Sequence, residues 1–270
     1  MGLIVLTNDD GYQSIGLEIL AQAIKTLGHD VLVVAPETNQ SGKSHSISLS
    51  PLHVKNFNQH QYRGWWVVSG TPVDCVRLAL SEYGPQQPVC VVSGINRGWN
   101  FGYHVQTSGT VAGAREASLR NVPGIALSAP ENASWEKILA MTVLHLNTWM
   151  SYAVAHPGIY LNINFPESGR EWHWAQPKPR SPQIHVHHVE HTAWGDKVSF
   201  HYDEHNVLAA KDPQDFTTDV AMVSAGIISV SALPAVSMEV VSPHLEKSPA
   251  HRKANGTKPD PHSVAIPDTP

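Results

Sequence analysis

Residues 3–11 read Leu-Ile-Val-Leu-Thr-Asn-Asp-Asp-Gly, and this stretch decides the fold. The first five residues are apolar or β-branched without polar alternation, which is typical of a strand buried on both faces of a parallel sheet. The strand runs directly into Asp9 and Asp10. Two carboxylates about 4 Å apart repel each other by about 4 kcal/mol at an effective dielectric near 20. A divalent cation would remove this repulsion, and the alternative is a solvated turn in which Gly11 supplies a positive φ.

Strand-like and helix-like segments alternate over about the first 165 residues, which predicts an α/β fold. Apolar strands that alternate with helices predict a parallel sheet with helices on both faces. The predicted strands are Leu3–Thr7, Asp30–Ala35, Trp65–Val68, Val89–Val92, Gly124–Leu127 and Ile159–Ile163. The predicted helices are Ile15–Leu27, Pro72–Leu80, Ser108–Leu119 and Trp135–Tyr152.

The sequence changes in character after about residue 165, where proline and histidine become more frequent. Short β-like runs and one late helix predict a β-rich extension to the core, over about 166–241, within a single domain of residues 1–241. Residues 242–270 are rich in proline and charge and predict a disordered tail. The runs and the helix of the extension are Ile184–Val189, Lys197–Tyr202, Gly226–Ser231 and Asp219–Ala225.

Composition and charge exclude several classes of partner. Of the 270 residues, 41% are hydrophobic and 15% charged, as in an ordinary globular protein, and the formal net charge is -5. An acidic chain has no global basic field to attract a nucleic acid duplex or an anionic membrane. An anionic ligand would therefore need a local device, such as a metal ion or the amides of a helix N-terminus.

The two cysteines indicate a reducing compartment. Cys75 and Cys90 lie in apolar runs without a CxxC spacing, so we expect reduced, buried thiols. The first apolar stretch is too short for a secretory signal peptide, and no run reaches the roughly 18 apolar residues of a membrane-spanning helix. We therefore expect a cytoplasmic protein.

Three further polar segments follow or precede predicted elements at the same edge of the sheet. Residues 40–45 follow the second strand, residues 93–98 lie at the end of a later strand, and residues 107–110 open a helix. Ligands of such folds bind beyond the carboxyl ends of the strands. Oxygen side chains suit Mg, Ca or Mn, and a helix start with Ser108 as its N-cap favours an anion. Each segment alone is also typical of an ordinary turn or cap.

The order of these motifs resembles the SurE family of nucleotidases. The motifs are TNDDG from Thr7, the Ser41-Gly42 loop, GTPVDC from Gly70, SGINRGWN from Ser93 and SGTVAGARE from Ser108, with a weaker match over Asn162–Pro166. The resemblance implies a Rossmann-like core, a projecting β-hairpin and a C-terminal extension that takes part in dimerisation. It also implies a homodimer or tetramer.

The resemblance implies hydrolysis of nucleoside 5′- and 3′-monophosphates to nucleoside and phosphate, with one divalent metal ion per subunit (Mg, Mn or similar). The implied metal ligands are Asp9, Asp10, Ser41 and Asn96. Of these, Asp9, Asp10 and Asn96 are expected to be catalytic. The implied substrate and phosphate site comprises Asn8, Ser41, Ser108, Gly109 and Thr110.

The chain also departs from the family pattern, which leaves a second hypothesis open. Thr107 replaces a usual Tyr, His104 replaces a usual acid, and Ala232 replaces a usual Thr. The Gly-rich Tyr-Trp segment expected near residues 194–202 is not recognisable. The alternative is a non-catalytic nucleotide or metal sensor that retains the phosphate cradle.

Two other patterns suggest chemistry but have simpler interpretations. His185, His187 and His191 would share one face of a strand, which raises a zinc hypothesis, although a polar strand face is favoured. Ser44 and His45 are adjacent, but no G-x-S-x-G elbow accompanies them, so a serine nucleophile is disfavoured.

Overall fold

A computed structural model of the chain describes residues 1–57, 62–84, 88–178, 184–192, 194–202 and 217–236. Met1–Val236 form one compact unit. The predicted tail, residues 242–270, lies outside the described residues, so its disorder stays a prediction.

A nine-stranded mixed sheet forms the centre of this unit, and most of it is the parallel sheet that the alternation of elements predicts. Its strand order is β3-β4-β2-β1-β5-β6-β7-β11-β8, and the six strands from β4 to β7 run parallel. Strand β3, at one edge, is antiparallel to β4, whereas β11 is antiparallel to β7 and parallel to β8. The strands are β1 Leu3–Thr7, β2 Asp30–Pro36, β3 Val54–Asn56, β4 Gly64–Val68, β5 Cys90–Arg97, β6 Gly124–Ala129, β7 Ile159–Asn164, β8 Trp172–Trp174 and β11 Ile228–Pro234.

Helices cover both faces of the sheet. Strand β1 shows why its sequence is continuously apolar: Ile4 and Leu6 face the core under α1 and α5, whereas Leu3 and Val5 face α2 and α4. Such a strand has no solvated face, so every side chain is selected for burial. The helices are α1 Ile15–Thr26, α2 Pro72–Ala79, α3 His104–Thr107, α4 Gly109–Leu119, α5 Trp135–Ala155 and α6 Asp219–Ser224.

Helix α5 is long and apolar enough, by length and composition alone, to cross a membrane. One of its faces packs in the core beneath the sheet, through buried side chains that include Ile138, Leu146 and Trp149. A core helix of this length meets the same criteria of length and composition, so these criteria alone do not make α5 a membrane-spanning helix.

The C-terminal part contains the predicted β-rich elements. Strand β11 inserts between β7 and β8, and α6 packs against it. A separate antiparallel hairpin consists of β9, Ile184–Thr192, and β10, Gly195–Tyr202. The short edge strands β3 and β8 were not predicted, because three residues provide too little periodicity to detect.

Candidate active site

Asp9 and Asp10 lie where β1 ends, at the carboxyl edge of the sheet. Asp9 is 3% exposed, and its Oδ1 accepts a hydrogen bond from the hydroxyl of Thr110. Burial raises the pKa of Asp9, although this hydrogen bond and the backbone amides of Gly109 and Thr110 oppose the shift. Burial, and then the charge of Asp9, raise the pKa of Asp10 to about 6. The structure therefore leaves two carboxyl groups that a nearby cation would stabilise.

Asn96 lies near the end of β5, the strand beside β1. Thr7 and Ser93 are register partners, so β5 carries Asn96 past the end of β1. The amide nitrogen of Asn96 donates to Gly98 O at 2.8 Å, so the side-chain oxygen is the atom that could bind a cation. The backbone N–H of Arg97 donates to Asp10 Oδ2 at 3.4 Å, so β5 contacts the acidic pair directly.

Ser41 lies in the loop between β2 and β3, and this loop reaches the acidic pair. Gln40, which precedes Ser41, donates its backbone N–H to Asp9 O at 2.7 Å. Ser41 itself is exposed, and its N–H donates to Asn39 Oδ1 at 2.7 Å. The structure therefore attaches the loop to Asp9 through the residue that precedes Ser41, and the role of Ser41 as a ligand stays a prediction.

The predicted phosphate cradle is the N-terminus of α4. Ser108 is the N-cap, and its Oγ accepts from Val111 N at 3.1 Å. Gly109 lies against Asp9: a Cβ atom at this position would be 2.8 Å from Asp9 Cβ. Thr110 is fully buried and donates its hydroxyl to Asp9, a role that the sequence did not reveal. The cradle and the acidic pair are therefore one connected structure.

Asn8 holds the turn beneath the site. Its amide nitrogen donates to Gly11 O at 2.9 Å and to Ser14 Oγ at 2.7 Å, and Ser14 is the N-cap of α1. Gly11 has a φ of 101°, which only glycine adopts readily. The side-chain oxygen of Asn8 is buried and has no hydrogen-bond partner among the described residues. A buried acceptor without a donor fits a site that a bound group would complete.

These donors fit a hard divalent cation. Carboxylate, amide and hydroxyl oxygens are the ligands that Mg and Mn prefer, and two adjacent acids supply the compensating charge. Among the described residues no three His, Cys, Asp or Glu side chains group so that they could hold a metal ion, so the amide and hydroxyl oxygens would be needed as ligands here. Of the three histidines of the zinc hypothesis, His191 pairs with Asp196 at 2.6 Å. The side chains of His185 and His187 lie outside the described part of the chain.

A buried asparagine fixes the segment that joins Asn96 to the cradle. Asn100 N donates to Asn164 Oδ1 at 2.8 Å, Asn100 Nδ2 donates to Ser128 Oγ at 2.8 Å, and Asn162 Nδ2 donates to Asn100 O at 2.9 Å. Two residues later, Gly102 N donates to Asp219 Oδ2 at 2.8 Å. The weak match over Asn162–Pro166 thus has a physical role, because its asparagines hold this loop.

A cluster around Glu116 was missed in the sequence. Its carboxyl group is 3% exposed, and Oε1 accepts from the Nε atoms of Arg77 and Arg120, both at 2.7 Å. Oε2 accepts from His45 Nε2 at 2.9 Å. The i, i+4 spacing of Glu116 and Arg120 predicts this ion pair from the sequence. No such spacing predicts the contact with His45, which lies 71 residues away in a loop.

Comparison with known proteins agrees with the motifs. The family described as "Survival protein SurE" matches residues 4–195. The chain is 42% identical over 166 residues to "5'-nucleotidase SurE" of Solidesulfovibrio magneticus, and this match covers 61% of this chain and 65% of that relative. It is 36% identical over 222 residues to the protein of the same name from Protochlamydia amoebophila, covering 75% of this chain and 82% of that relative.

A solved structure, titled "Crystal Structure of Sure Protein from Aquifex aeolicus", superposes with a TM-score of 0.73 at 31% sequence identity. The superposition covers 88% of this chain and 95% of that one. Sequence motifs, site geometry and family match therefore lead to one conclusion: this chain belongs to the SurE family.

Proposed function

We propose that this protein is a metal-dependent phosphomonoesterase that hydrolyses nucleoside 5′- and 3′-monophosphates to nucleoside and phosphate. The observation that carries the proposal is the pair of acids at the end of β1, held against the N-terminus of α4. The names of the relatives, 5'-nucleotidase SurE, support the substrate class.

Asp9, Asp10, Ser41 and Asn96 would hold the ion. When bound, a divalent ion polarises a phosphoryl oxygen and lowers the pKa of a bound water. Thr110 orients the carboxylate of Asp9, and Asn100 orients the backbone between Asn96 and Ser108. The N-terminal amides of α4 favour negative charge on the phosphoryl oxygens, since the helix dipole is positive there.

Phosphate release from AMP tests the function. We expect release by the full chain with Mn²⁺ and none after removal of the metal by EDTA, with recovery when Mn²⁺ is restored. Full activity in EDTA would contradict the metal dependence. Tight binding of nucleoside monophosphates without release of phosphate from any of them would instead favour the nucleotide sensor.

We also propose that the chain assembles as a homodimer or tetramer. Support comes from the β9–β10 hairpin, which exposes Trp194 (99% exposed), Val186 and Val198. Large exposed apolar side chains on a hairpin that lies outside the main sheet are typical of an interaction site. Light scattering at micromolar concentration should give at least twice the chain mass of 29.5 kDa; a monomer would contradict the proposal.

A cytoplasmic location is the final part of the proposal. It is supported by Cys75 and Cys90, which are both buried and free. Fractionation of cells that express the full chain should recover it in the cytoplasmic fraction, and recovery in a membrane or secreted fraction would contradict this location.

A further inference from the structure

The loop that carries Ser41 contains neither helix nor strand from Thr38 to Pro51. Its position must therefore come from contacts made by its individual residues. Ser44 has a φ of 53°, a left-handed conformation that is uncommon for residues other than glycine. Ser44 N donates to Thr107 O at 3.0 Å and Ser44 Oγ donates to Gln106 O at 2.6 Å. The loop is thus attached to the residues that precede the cradle.

His45, the next residue, is held from both sides of its ring. Arg115 Nε donates to His45 Nδ1 at 3.2 Å, so Nε2 carries the proton that is donated to Glu116 Oε2. Because both ring nitrogens of His45 have a fixed partner, the ring is held in one orientation. The side chain is 17% exposed, whereas the carboxyl group that it contacts is 3% exposed.

Glu116 in turn is fixed by the folded core. Arg77 on α2 and Arg120, the C-cap of α4, both donate to Oε1, so the carboxylate cannot rotate without losing two charged hydrogen bonds. Glu116 lies on α4 seven residues after Gly109, about 10 Å along the helix axis. One rigid helix therefore contacts Asp9 at its start and the Ser41 loop two turns later.

We propose that His45 and Glu116 are positioning residues that place Ser41 for the metal ion. The inference rests on the proposed function, because Ser41 is a ligand only if the site binds a cation. Neither residue touches the ion or the substrate. Their effect is to hold the loop that contacts Asp9 O through Gln40 N, so that Ser41 is available to the ion.

A double-mutant cycle on Mn²⁺ affinity tests this. The full chain, free of metal, is titrated with Mn²⁺ by calorimetry as wild type, His45→Ala, Ser41→Ala and the double variant. We expect His45→Ala to weaken binding about tenfold in the wild-type background, as is typical when support of a ligand is lost. In the Ser41→Ala background the same substitution should change the affinity by less than about twofold, because the ligand it serves is gone.

The matched control is His53→Ala, since His53 is an exposed histidine on the same connection. Its Mn²⁺ affinity should equal that of wild type. A second measurement is amide hydrogen exchange at Ser44 in the metal-free protein, which should accelerate in His45→Ala but not in the control. If His45→Ala does not fold, Glu116→Gln provides the same cycle with Glu82→Gln as its exposed control.

Unchanged Mn²⁺ affinity in His45→Ala, or equal weakening in both backgrounds, would overturn the inference and leave the proposed function intact. Failure of wild type to bind Mn²⁺ would overturn the proposed function and this inference together.

Discussion

Burial and hydrogen bonding act in opposite directions on Asp9. Removal from water raises its pKa, whereas the hydroxyl of Thr110 and two backbone amides stabilise the charged form. Asp10, beside it, is less buried. Its pKa is also raised by removal from water and by the charge of Asp9. The protein thus holds two carboxyl groups whose charged forms are not fully stabilised by the surrounding protein groups. This is a feature of a binding site rather than of a stabilising contact.

Asp9→Asn should lower Mn²⁺ affinity by more than about tenfold, equivalent to about 1.4 kcal/mol, because it removes a charge and keeps the shape. Asn96→Ala should lower it less, since a neutral ligand is lost. At one hundred times its dissociation constant, Mn²⁺ should stabilise wild type by about 2.7 kcal/mol, and this gain should shrink in Asp9→Asn at the same concentration. Thermal unfolding with and without Mn²⁺ measures both effects.

Excess Mn²⁺ should partly restore phosphate release to Asp9→Asn by mass action. A lost general acid or base would not be restored in this way. Wild-type turnover by Asp9→Asn at limiting Mn²⁺ would contradict the assignment of Asp9 as a ligand. Circular dichroism is the folding control.

Gly109→Ala should displace the carboxyl group of Asp9. The added Cβ would be 2.8 Å from Asp9 Cβ and 3.0 Å from Asp9 Oδ2, closer than such atoms pack. Alanine is favoured over glycine by about 1 kcal/mol in helix interiors, so the helix itself should persist. We expect lower Mn²⁺ affinity, by calorimetry, with unchanged helix content; an unchanged affinity would show that Asp9 is not constrained by this contact.

Helix α4 is the element that links the parts of the site. It begins at the cradle, contacts Asp9 through its first turn, and reaches Glu116 near its end. Burial would raise the pKa of Glu116, but His45, Arg77 and Arg120 outweigh it and lower the pKa to about 2. The charged carboxylate therefore stabilises the folded chain.

The stabilisation by Glu116 should depend on pH with a definite sign. The pKa of Glu116 is lowered from 4.5 to about 2, so its stabilisation of the folded chain is fully present above pH 4.5. This stabilisation is lost as the pH falls towards 2. Because Arg77 and Arg120 are 38% and 45% exposed, screening reduces the contribution to about 1–2 kcal/mol. Urea unfolding should show Glu116→Gln less stable than wild type at pH 6, with a smaller difference at pH 3.

The exposed Glu82→Gln variant should match wild type at both pH values. A difference between wild type and Glu116→Gln that is the same at pH 6 and pH 3 would show that Glu116 acts through packing rather than charge.

The long elements could be predicted from sequence because each one buries a continuous or periodic apolar surface. Strands β1 and β2 and helix α1 can each be recognised from the apolar pattern of their own residues. Strands β3 and β8 have three residues each and form only because β4 and β11 offer partners. The four-residue helix α3 likewise lacks a periodic face. Such elements are set by tertiary pairing, which a local pattern does not contain.

At the scale of the whole molecule, the side chains at the carboxyl edge could be placed from the topology of a parallel sheet. Asp9 and Asp10 follow β1, and Asn96 lies near the end of the neighbouring strand β5, so the topology of the sheet alone predicts that they are close. The contacts of His45 with Glu116 and of Asn100 with Asn164 join residues 71 and 64 positions apart. Side-chain contacts across such separations depend on how helices and loops pack, and no spacing in the sequence encodes them.

The C-terminal segment predicted to be disordered gives a further test. Deletion of residues 242–270 should leave Mn²⁺-dependent phosphate release unchanged, because every residue assigned to the site, up to Asp219, precedes this segment. Steady-state assay of the truncated chain against the full one measures this. A large loss of activity would show that the segment docks against the rest of the protein.

The insertion of β11 between β7 and β8 has a consequence for biosynthesis. During translation, β7 emerges complete at Asn164, but its antiparallel neighbour ends only at Pro234, about 70 residues later. At about 5–20 residues per second, the hydrogen-bonding edge of β7 stays open for roughly 4–14 s on the ribosome. An uncovered strand edge is a template for pairing with other chains. Ribosome-bound chains stalled near residue 200 should therefore bind chaperones more strongly than chains released after residue 236, and equal binding would contradict this.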